Sequence, residues 1–538
     1  MNSPLSLSIT PLLSLLFFLF LFLSPFPSHS LNPNTFTSAQ QSFLQCLNSS
    51  FPSNLIFTPT NKNYTTLLFS SIQNLRTLTN SPKPLLILTP TQESHIQSSI
   101  SCSNTLNILL RIRSGGHDYE GLSYASTMSN FFIIIDLQKL NSITIDSSVS
   151  TAWVQAGATL GEVYYAIAMK SRVVGFPAGS CPTVGVGGHF SGGGLSTIMR
   201  AYGIAIDNII DARIVNAKGE VLDREAMGED LFWALRGGGG ASFGVILSYK
   251  IKLVQVPPKV TVFAISKTLE EGATKLVSKF QNIAYNLDKR LFLQSLLQPV
   301  NENSPNKTIQ ATFSSLFLGN KEELVSILKQ SFPELELKET DCTEMSWIES
   351  VLNFAGYSSD SPLNVLLNRK PWSNTTSFKN KSDLLTKPIT EEEWNEIFRF
   401  LLEGDQWFML IIDPLGGMVA EVSETETPFP HRKGSLYDIQ YITQWTEEGI
   451  ETTEKHLKWI RKFYEFMTAY VSKNPRGAYL NYRDLDLGVN GEGNTSYMKA
   501  SVWGEKYFKG NFRRLAQVKS VVDPGNLFRY EQSIPLLF

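Results

Sequence analysis

The sequence predicts a large α+β protein. Short strand-like runs alternate with helical segments in the first half, longer strand-like runs follow Val256-Pro257-Pro258, and an amphipathic helix is indicated from Glu447 to Val471. The chain has 538 residues, 42% of them hydrophobic, which is enough for a sizeable core. Length alone suggests about two to four domains.

Apolar runs in the first half have the length and composition of strands. A segment with apolar residues at helical spacing, Leu160 to Lys170, follows them and precedes a glycine-rich stretch, so we expect these glycines to connect elements and not to form a free linker. The predicted strands are Leu85 to Leu88, Ile108 to Ile112, Phe131 to Asp136 and Thr151 to Ala156.

The second half has longer strand-like runs, each bounded by polar or turn residues. They are Val260 to Ile265, Leu291 to Gln298 and Ile309 to Leu318. The tail, from Ala478 to Phe538, is predicted to return to short strands and turns. We find no convincing internal repeat.

The charge balance excludes some classes of partner. The formal net charge is -2, and no long basic run is present. This argues against nucleic-acid binding and against a polybasic membrane patch. We expect small-molecule partners.

The first thirty residues are expected to be a signal peptide. Residues 12–23 are apolar apart from Ser14, a polar Ser- and Pro-rich segment follows, and Ser28-His29-Ser30 offers small residues for cleavage. A membrane anchor is the alternative, but the run is shorter than the roughly 20 residues that span a bilayer. We therefore expect a secreted protein of the extracellular space or cell wall, or a vacuolar one, with no membrane attachment after cleavage.

In a protein of the secretory pathway, we expect disulfides between cysteines and glycans on Asn-X-Ser/Thr sequons. Four cysteines allow two disulfides in three connectivities, and this reasoning does not choose among them. Sequons of the form Asn-X-Ser/Thr are expected acceptors of glycans. They lie at Asn48, Asn63, Asn306, Asn374, Asn380 and Asn494.

Three glycine-rich stretches, at residues 113–121, 179–194 and 236–244, are candidate ligand loops. None contains the P-loop pattern, and Gly185-Val186-Gly187 lacks the third glycine of the dinucleotide fingerprint, so a Rossmann site is disfavoured. Glycines allow positive φ and close backbone approach, and exposed N–H groups could cradle a pyrophosphate in another scaffold. The alternative is that these are packing turns.

The first two stretches also carry a histidine and a cysteine. From the residues alone, His117 could be an ordinary buried histidine and Cys181 an ordinary structural cysteine. Zinc, with His189 as a third ligand, is a further alternative, but no close-spaced ligand pair such as C-x-x-C accompanies these residues.

Five stretches in this order closely resemble the plant berberine-bridge-enzyme-like flavoproteins. They are RSGGHDYEG from residue 113, GSCPTVGVGGH from 179, LFWALRGGGGASFG from 231, YLNYRDLD from 479 and DPGNLFRYEQSIP from 523. The resemblance implies a vanillyl-alcohol-oxidase-type FAD domain built from both chain ends around an inserted α+β substrate domain with an antiparallel sheet. The implied divisions are a signal peptide at 1–30, FAD-binding parts at 31–256 and 478–538, and the substrate domain at 257–477.

The resemblance also implies how FAD is held. The flavin is attached twice, through His117 to the 8α carbon and through Cys181 to C6, and His189 lies near N1 and the C2 oxygen. A disulfide joins Cys46 and Cys102, which leaves Cys342 as a buried thiol. Further implied cofactor contacts are Arg113, Ser114, Gly115, Gly116, Val184, Gly185, Gly188 and Asn526.

The implied reaction is hydride transfer from a small organic substrate, an alcohol, carbohydrate or specialised metabolite, to the flavin, with reoxidation by O2 to H2O2. Val184 matches the position that controls oxygen access and resembles the oxidases. The family places active-site groups at Tyr119 and Tyr482, the latter a candidate base. The protein is expected to be a monomer.

Two further active-site candidates lie in Tyr437-Asp438-Ile439-Gln440-Tyr441. Strand alternation puts Asp438 and Gln440 on one face, which could be either a solvated face or a reacting one. Family members that oxidise aromatic alcohols tend to have lysine in place of Asp438 and tyrosine in place of Leu195, so monolignol oxidation is in doubt. Asp438 could act as the base or hold a cationic or polyhydroxylated substrate. Alternatives are a flavin-containing cyclase without net oxidation and a non-catalytic binding or defence protein.

Overall fold

The computed structural model describes residues 33–77, 81–148, 150–301, 307–370, 376–491, 493 and 495–538. The expected signal peptide and the sequons at Asn306, Asn374 and Asn494 lie outside these residues. Within the described chain, no helix is both long enough and apolar enough to cross a bilayer.

The described chain contains both strands and helices, in agreement with the predicted α+β class. The strands are β1 (Ile56–Phe57), β2 (Leu86–Leu88), β3 (Leu109–Arg113), β4 (Phe132–Asp136), β5 (Ile143–Asp146), β6 (Thr151–Gln155), β7 (Val174–Gly175), β8 (Ile209–Val215), β9 (Val221–Leu222), β10 (Val245–Lys252), β11 (Val254–Gln255), β12 (Val260–Thr268), β13 (Leu291–Val300), β14 (Thr308–Phe317), β15 (Thr343–Met345), β16 (Ser377–Leu385), β17 (Met409–Pro414) and β18 (Tyr437–Trp445). The α-helices span Pro33–Leu47, Tyr64–Phe69, Glu93–Leu106, Leu160–Lys170, Val186–Gly192, Met199–Tyr202, Arg224–Leu235, Ala273–Ile283, Lys321–Ser331, Trp347–Phe354, Glu391–Glu403, Met418–Glu421, Ile450–Phe466, Tyr497–Phe508 and Asn511–Val522.

The first half forms two main sheets. One has the order β1-β2-β4-β3, in which β2, β4 and β3 run parallel. The other is antiparallel, with the order β5-β6-β10-β8-β9. The run Phe132–Asp136 is buried along its length, as is typical of a parallel strand covered on both faces. The four strands predicted here are present.

The predicted helix Leu160–Lys170 has the predicted bounds. It begins at a capping box, in which the Thr159 hydroxyl accepts from the Glu162 N–H and the Glu162 carboxylate accepts from the Thr159 N–H. The second glycine-rich stretch contacts the first turn of this helix, where the Gly161 N–H donates to the Pro182 carbonyl.

The second half builds a seven-stranded antiparallel sheet with the order β15-β12-β14-β13-β17-β18-β16. Helices pack on the face that carries Leu293, Phe313, Ile412 and Ile439, which are all buried. Alternate residues of the same strands point to the opposite face. That second face carries Asp438 and Gln440 among apolar residues, and it contributes to the site described below.

The tail differs from its prediction. Instead of short strands, it forms the helices Tyr497–Phe508 and Asn511–Val522. Trp503 and Tyr507, four residues apart, are both buried, which is the helical spacing that the prediction overlooked. The tail returns to the first half, where Glu531 forms a buried ion pair with Arg111 of β3.

The structure confirms the expected disulfide but not the expected burial of the remaining thiol. The Cys46–Cys102 disulfide is present and joins the helices Pro33–Leu47 and Glu93–Leu106. Cys342 is a free thiol but only half-buried, not buried as predicted, because it lies in the turn before β15 at the edge of the large sheet.

Burial also separates the described sequons. Asn48 and Asn63 are exposed. Asn380, in contrast, is 2% exposed within β16. A glycan could not be accommodated there, so the prediction of glycosylation at Asn380 is wrong for the folded protein.

Candidate functional site

The first two glycine-rich stretches meet at their glycines. A methyl group on Gly185 would lie 2.1 Å from the Gly115 nitrogen, so neither position accepts a side chain without moving backbone. Between the stretches, Ser114 Oγ donates to the Ala156 carbonyl at 2.6 Å and accepts from the Gly187 N–H at 3.3 Å. Ser114, Gly115 and Gly185 therefore act as the joint between two distant parts of the chain.

This joint brings His117 close to the cysteine stretch. His117 Nε2 hydrogen-bonds Thr183 Oγ1 at 2.8 Å, which leaves Nδ1 as the other ring nitrogen. Burial lowers the pKa of His117 to about 4, so the ring is neutral at pH 7. A neutral imidazole nitrogen is nucleophilic, whereas an imidazolium is not.

Cys181 lies at the open side of the joint. The residue is exposed, although the protein around its thiol raises the thiol pKa. Val184 is half-buried, and its N–H donates to the Cys181 carbonyl at 3.2 Å. The turn therefore presents the sulfur and the small apolar side chain together.

The ring of His189 is oriented by a backbone hydrogen bond. Its Nε2 accepts from the Gly179 N–H at 3.0 Å, which places the ring proton on Nδ1. Burial, and after it the nearby His117, lowers the pKa of His189 to about 4. His189 thus provides a neutral hydrogen-bond donor here and not a positive charge.

The second face of the large sheet supplies the other wall of the site. Asp438 and Gln440 lie on one face of β18, as predicted, and are 2% and 3% exposed, so the solvated-face interpretation is wrong. Gln440 Nε2 donates to the Tyr119 hydroxyl at 3.2 Å, and the Tyr119 ring stacks on Tyr482 with centroids 5.9 Å apart. Thus the sheet, the first glycine stretch and the tail converge.

The electrostatics distinguish the two candidate bases. Burial, followed by the Asp438 and Asp413 carboxyls, raises the pKa of Tyr482 well above its ordinary value. Burial and then Asp413 likewise raise the pKa of Asp438 well above that of a free carboxyl. Tyr482 therefore keeps its proton at neutral pH, while Asp438 is a carboxyl that holds a proton more tightly than a free aspartate does.

Some residues of the site were missed at the sequence level. Tyr479 accepts from the Gly194 N–H at 2.7 Å, and Asn481 Nδ2 donates to the Tyr479 hydroxyl at 2.8 Å and to the His189 carbonyl at 3.0 Å. Both lie within the YLNYRD motif, so their proximity to Tyr482 was a usable signal. Thr183 and Asp413 were also missed, and only the tertiary structure places Asp413 beside Asp438.

Other predicted cofactor contacts have different positions. Arg113 is fully buried, and its guanidinium pairs with Asp136 and donates to two carbonyl groups of the helix Tyr64–Phe69, so the prediction is wrong for its side chain. Gly116 has a positive φ of 71° and packs on Ser71. The backbone N–H of Asn526 donates to the Asp523 carbonyl in the C-terminal turn.

The arrangement fits a flavin nucleotide. A methyl group on Gly188 would meet nothing within 4 Å, so open space lies beside the second stretch. No hydrogen bond joins the backbone N–H groups of Gly115, Gly116 and His117 to any residue that the structure describes, which leaves donors for an anion. The described residues contain no group of three or more His, Cys, Asp or Glu side chains placed to hold a metal ion.

Comparison with known proteins agrees with this geometry. A model of an FAD binding domain matches residues 84–224, and a model described as berberine and berberine-like matches residues 478–535. A tetrahydroberberine oxidase from Berberis wilsoniae is 51% identical over 517 residues, covering 94% of this chain and 96% of the relative. The chain belongs to the berberine bridge enzyme-like family.

Solved structures of berberine bridge enzyme-like proteins share the fold. One from Arabidopsis thaliana is 47% identical, with a TM-score of 0.87, over 93% of this chain and all of that one. A wild-type glucose dehydrogenase from grass pollen is 43% identical, with a TM-score of 0.87, over 92% and 99% of the two chains. Its variant with valine in place of isoleucine is a glucose oxidase. The chain is thus an FAD-dependent oxidoreductase of small molecules with the α+β fold that its sequence predicted.

Proposed function

We propose that the protein is an oxidase that enters the secretory pathway, holds FAD through both His117 and Cys181, and removes a hydride and a proton from a small organic substrate. The bound flavin supplies the hydride acceptor, and O2 takes up the two electrons to give H2O2. The observation that supports this proposal best is the position of Asp438. It is a buried carboxyl on the same sheet face as Gln440, which contacts Tyr119 of the first glycine-rich stretch.

The double attachment is supported by the presentation of the two nucleophiles. His117 is neutral with Nε2 bound to Thr183, and Cys181 lies exposed on the neighbouring turn. Acid precipitation of the purified protein should leave the yellow colour in the pellet. The single variants His117→Ala and Cys181→Ala should each keep a covalent flavin, and the double variant should release it. Release from the wild-type protein would refute the linkage.

We assign the base to Asp438. It is buried on the same face of β18 as Gln440, which donates to the Tyr119 hydroxyl, whereas Tyr482 remains a neutral phenol. The ionised carboxylate would accept the substrate's O–H or N–H proton as hydride leaves the adjacent carbon. Gln440 would orient the Tyr119 hydroxyl, to which it donates.

Stopped-flow flavin reduction without oxygen tests this assignment. Glucose and tetrahydroberberine, the compounds named for the relatives, are suitable first probes, followed by a panel of alcohols and amines. Asp438→Asn should slow flavin reduction about 100-fold or more, as loss of a general base does, while Tyr482→Phe should have a smaller effect. The reverse order would assign the base to Tyr482.

The small side chain of Val184 supports oxygen as the acceptor. In the grass pollen relative, valine in place of isoleucine accompanies oxidase activity. We therefore expect wild-type turnover to release H2O2 stoichiometrically. Val184→Ile should slow reoxidation by O2 and leave anaerobic flavin reduction unchanged. Equal reoxidation rates would remove Val184 from control of oxygen access.

A further inference from the structure

Asp413, which no family motif above includes, faces Asp438 directly. The two residues are register partners on the adjacent antiparallel strands β17 and β18, so their Cβ atoms lie about 5 Å apart on one face. In each residue, Oδ1 is buried and has no hydrogen-bond partner in the described chain. The two carboxyls thus lie side by side, Asp438 buried and Asp413 half-buried, and each has an Oδ1 without a partner.

Among the residues that the structure describes, no basic side chain acts on this pair. The carboxyl of Asp383, on the neighbouring strand β16, also acts on Asp438, but it is paired with Arg476. The other titratable groups facing the pair are phenols of the first glycine stretch and of the tail, Tyr119, Tyr479 and Tyr482. Burial alone raises the pKa of Asp413 to about 7.

Two carboxylates this close and without a cation cannot both ionise easily. We propose that Asp413 and Asp438 hold one proton between them and act as a single acid–base unit, in which Asp413 sets the pH at which Asp438 becomes a base. This inference rests on the base role proposed for Asp438. It makes Asp413 a positioning residue, because it acts on the reaction through Asp438.

A pair that shares a proton leaves a signature that needs no substrate. The folded protein binds a proton that the unfolded chain, with Asp pKa values near 3.9, has released by about pH 5. Since the native state then holds more protons than the unfolded state, the pair lowers stability progressively as pH rises from about 4 towards 7. Asp413→Asn, which keeps the side-chain shape, should remove part of this loss, because burial still acts on Asp438.

We would measure the Tm of the flavin-loaded protein from pH 4 to pH 8. The difference in Tm between Asp413→Asn and wild type should grow in favour of the variant as pH rises. Asp438→Asn should show the same trend, and the double variant, which also removes the carboxyl on which burial still acts, should show the largest trend. Asp405→Asn, which removes an exposed carboxyl bound to Lys455, is the control and should show no such trend. A Tm difference that is constant between pH 4 and pH 8 would overturn the proposal.

Kinetics supply the second readout, with whichever probe reduces the wild-type flavin. Removing the neighbouring carboxyl should make Asp438 more acidic, so the acid limb of the pH–rate profile should move to lower pH by about one unit or more. At pH values below the acid limb of the wild-type profile, Asp413→Asn would then reduce its flavin faster than wild type does. A variant with a damaged site would not react faster at any pH. Failure of the base assignment is seen separately, as unchanged flavin reduction in Asp438→Asn.

Discussion

Replacing Lys379 with methionine should strongly destabilise the protein. Lys379 is 2% exposed on β16, and its ammonium donates to the Glu120 and Asp484 carboxylates. Glu120 directly follows the site residue Tyr119, and Asp484 lies two residues after Tyr482. The buried ion cluster therefore ties the first glycine stretch and the tail to the edge of the large sheet.

The structure sets the size of the expected loss. Breaking a buried ion pair costs about 3–5 kcal/mol, because the remaining charge is left without compensation. Here each carboxylate keeps a second cation, Glu120 with Arg76 at 2.6 Å and Asp484 with Lys381 at 2.6 Å. We therefore expect Lys379→Met to cost near the lower end, about 3 kcal/mol at pH 7.

The assay is denaturant unfolding at pH 7, followed by tryptophan and flavin fluorescence. Lys259→Met is the matched control, because Lys259 pairs with Glu344 while 70% exposed, and such surface pairs contribute about 0–1 kcal/mol. If Lys379→Met lost no more stability than Lys259→Met, the cluster would not hold the site together.

The same cluster predicts a pH dependence. Burial raises the pKa of Glu120, but Lys379, and then Arg76, outweigh burial and hold it below the ordinary value. A lowered folded-state pKa contributes stability above the unfolded value of about 4.3 and loses it as pH falls through the folded value. The stability gap between wild type and Lys379→Met should therefore narrow below about pH 4. A gap that widened in acid would contradict this attribution.

Three further predictions follow from the site and its surroundings. Gly185→Ala should abolish FAD binding, because its methyl group meets backbone at 2.1 Å, whereas Gly525→Ala, which meets nothing within 4 Å, should bind FAD normally in absorbance titrations. Thr183→Val should reduce flavin attachment through His117, measured by mass spectrometry of flavin peptides in protein that lacks the cysteinyl bond; full attachment would show that the hydroxyl is dispensable. Glycopeptide mapping should find no glycan at Asn380, and an occupied Asn380 would contradict its burial.

Local pattern was sufficient for part of the regular structure. Apolar runs predicted β2, β3, β4 and β6, and helical spacing predicted Leu160–Lys170. In these segments the spacing of the buried residues along the chain is itself enough to indicate a strand or a helix. The tail was mispredicted because its many polar and turn residues hid the helical spacing of Trp503 and Tyr507. The long helix was predicted from Glu447 to Val471 but spans Ile450–Phe466, since capping and packing decide where a helix ends.

By itself, the sequence determined the family, the FAD cofactor and the alternation that puts Asp438 and Gln440 on one face, since these depend on residue identity and on the two-residue period of a strand. Only the tertiary structure decided that Gly115 touches Gly185, that Asp413 faces Asp438, that Arg113 points into the core and that Asn380 is buried. Strand register and the meeting of distant turns depend on packing across the whole chain, and no local period contains them.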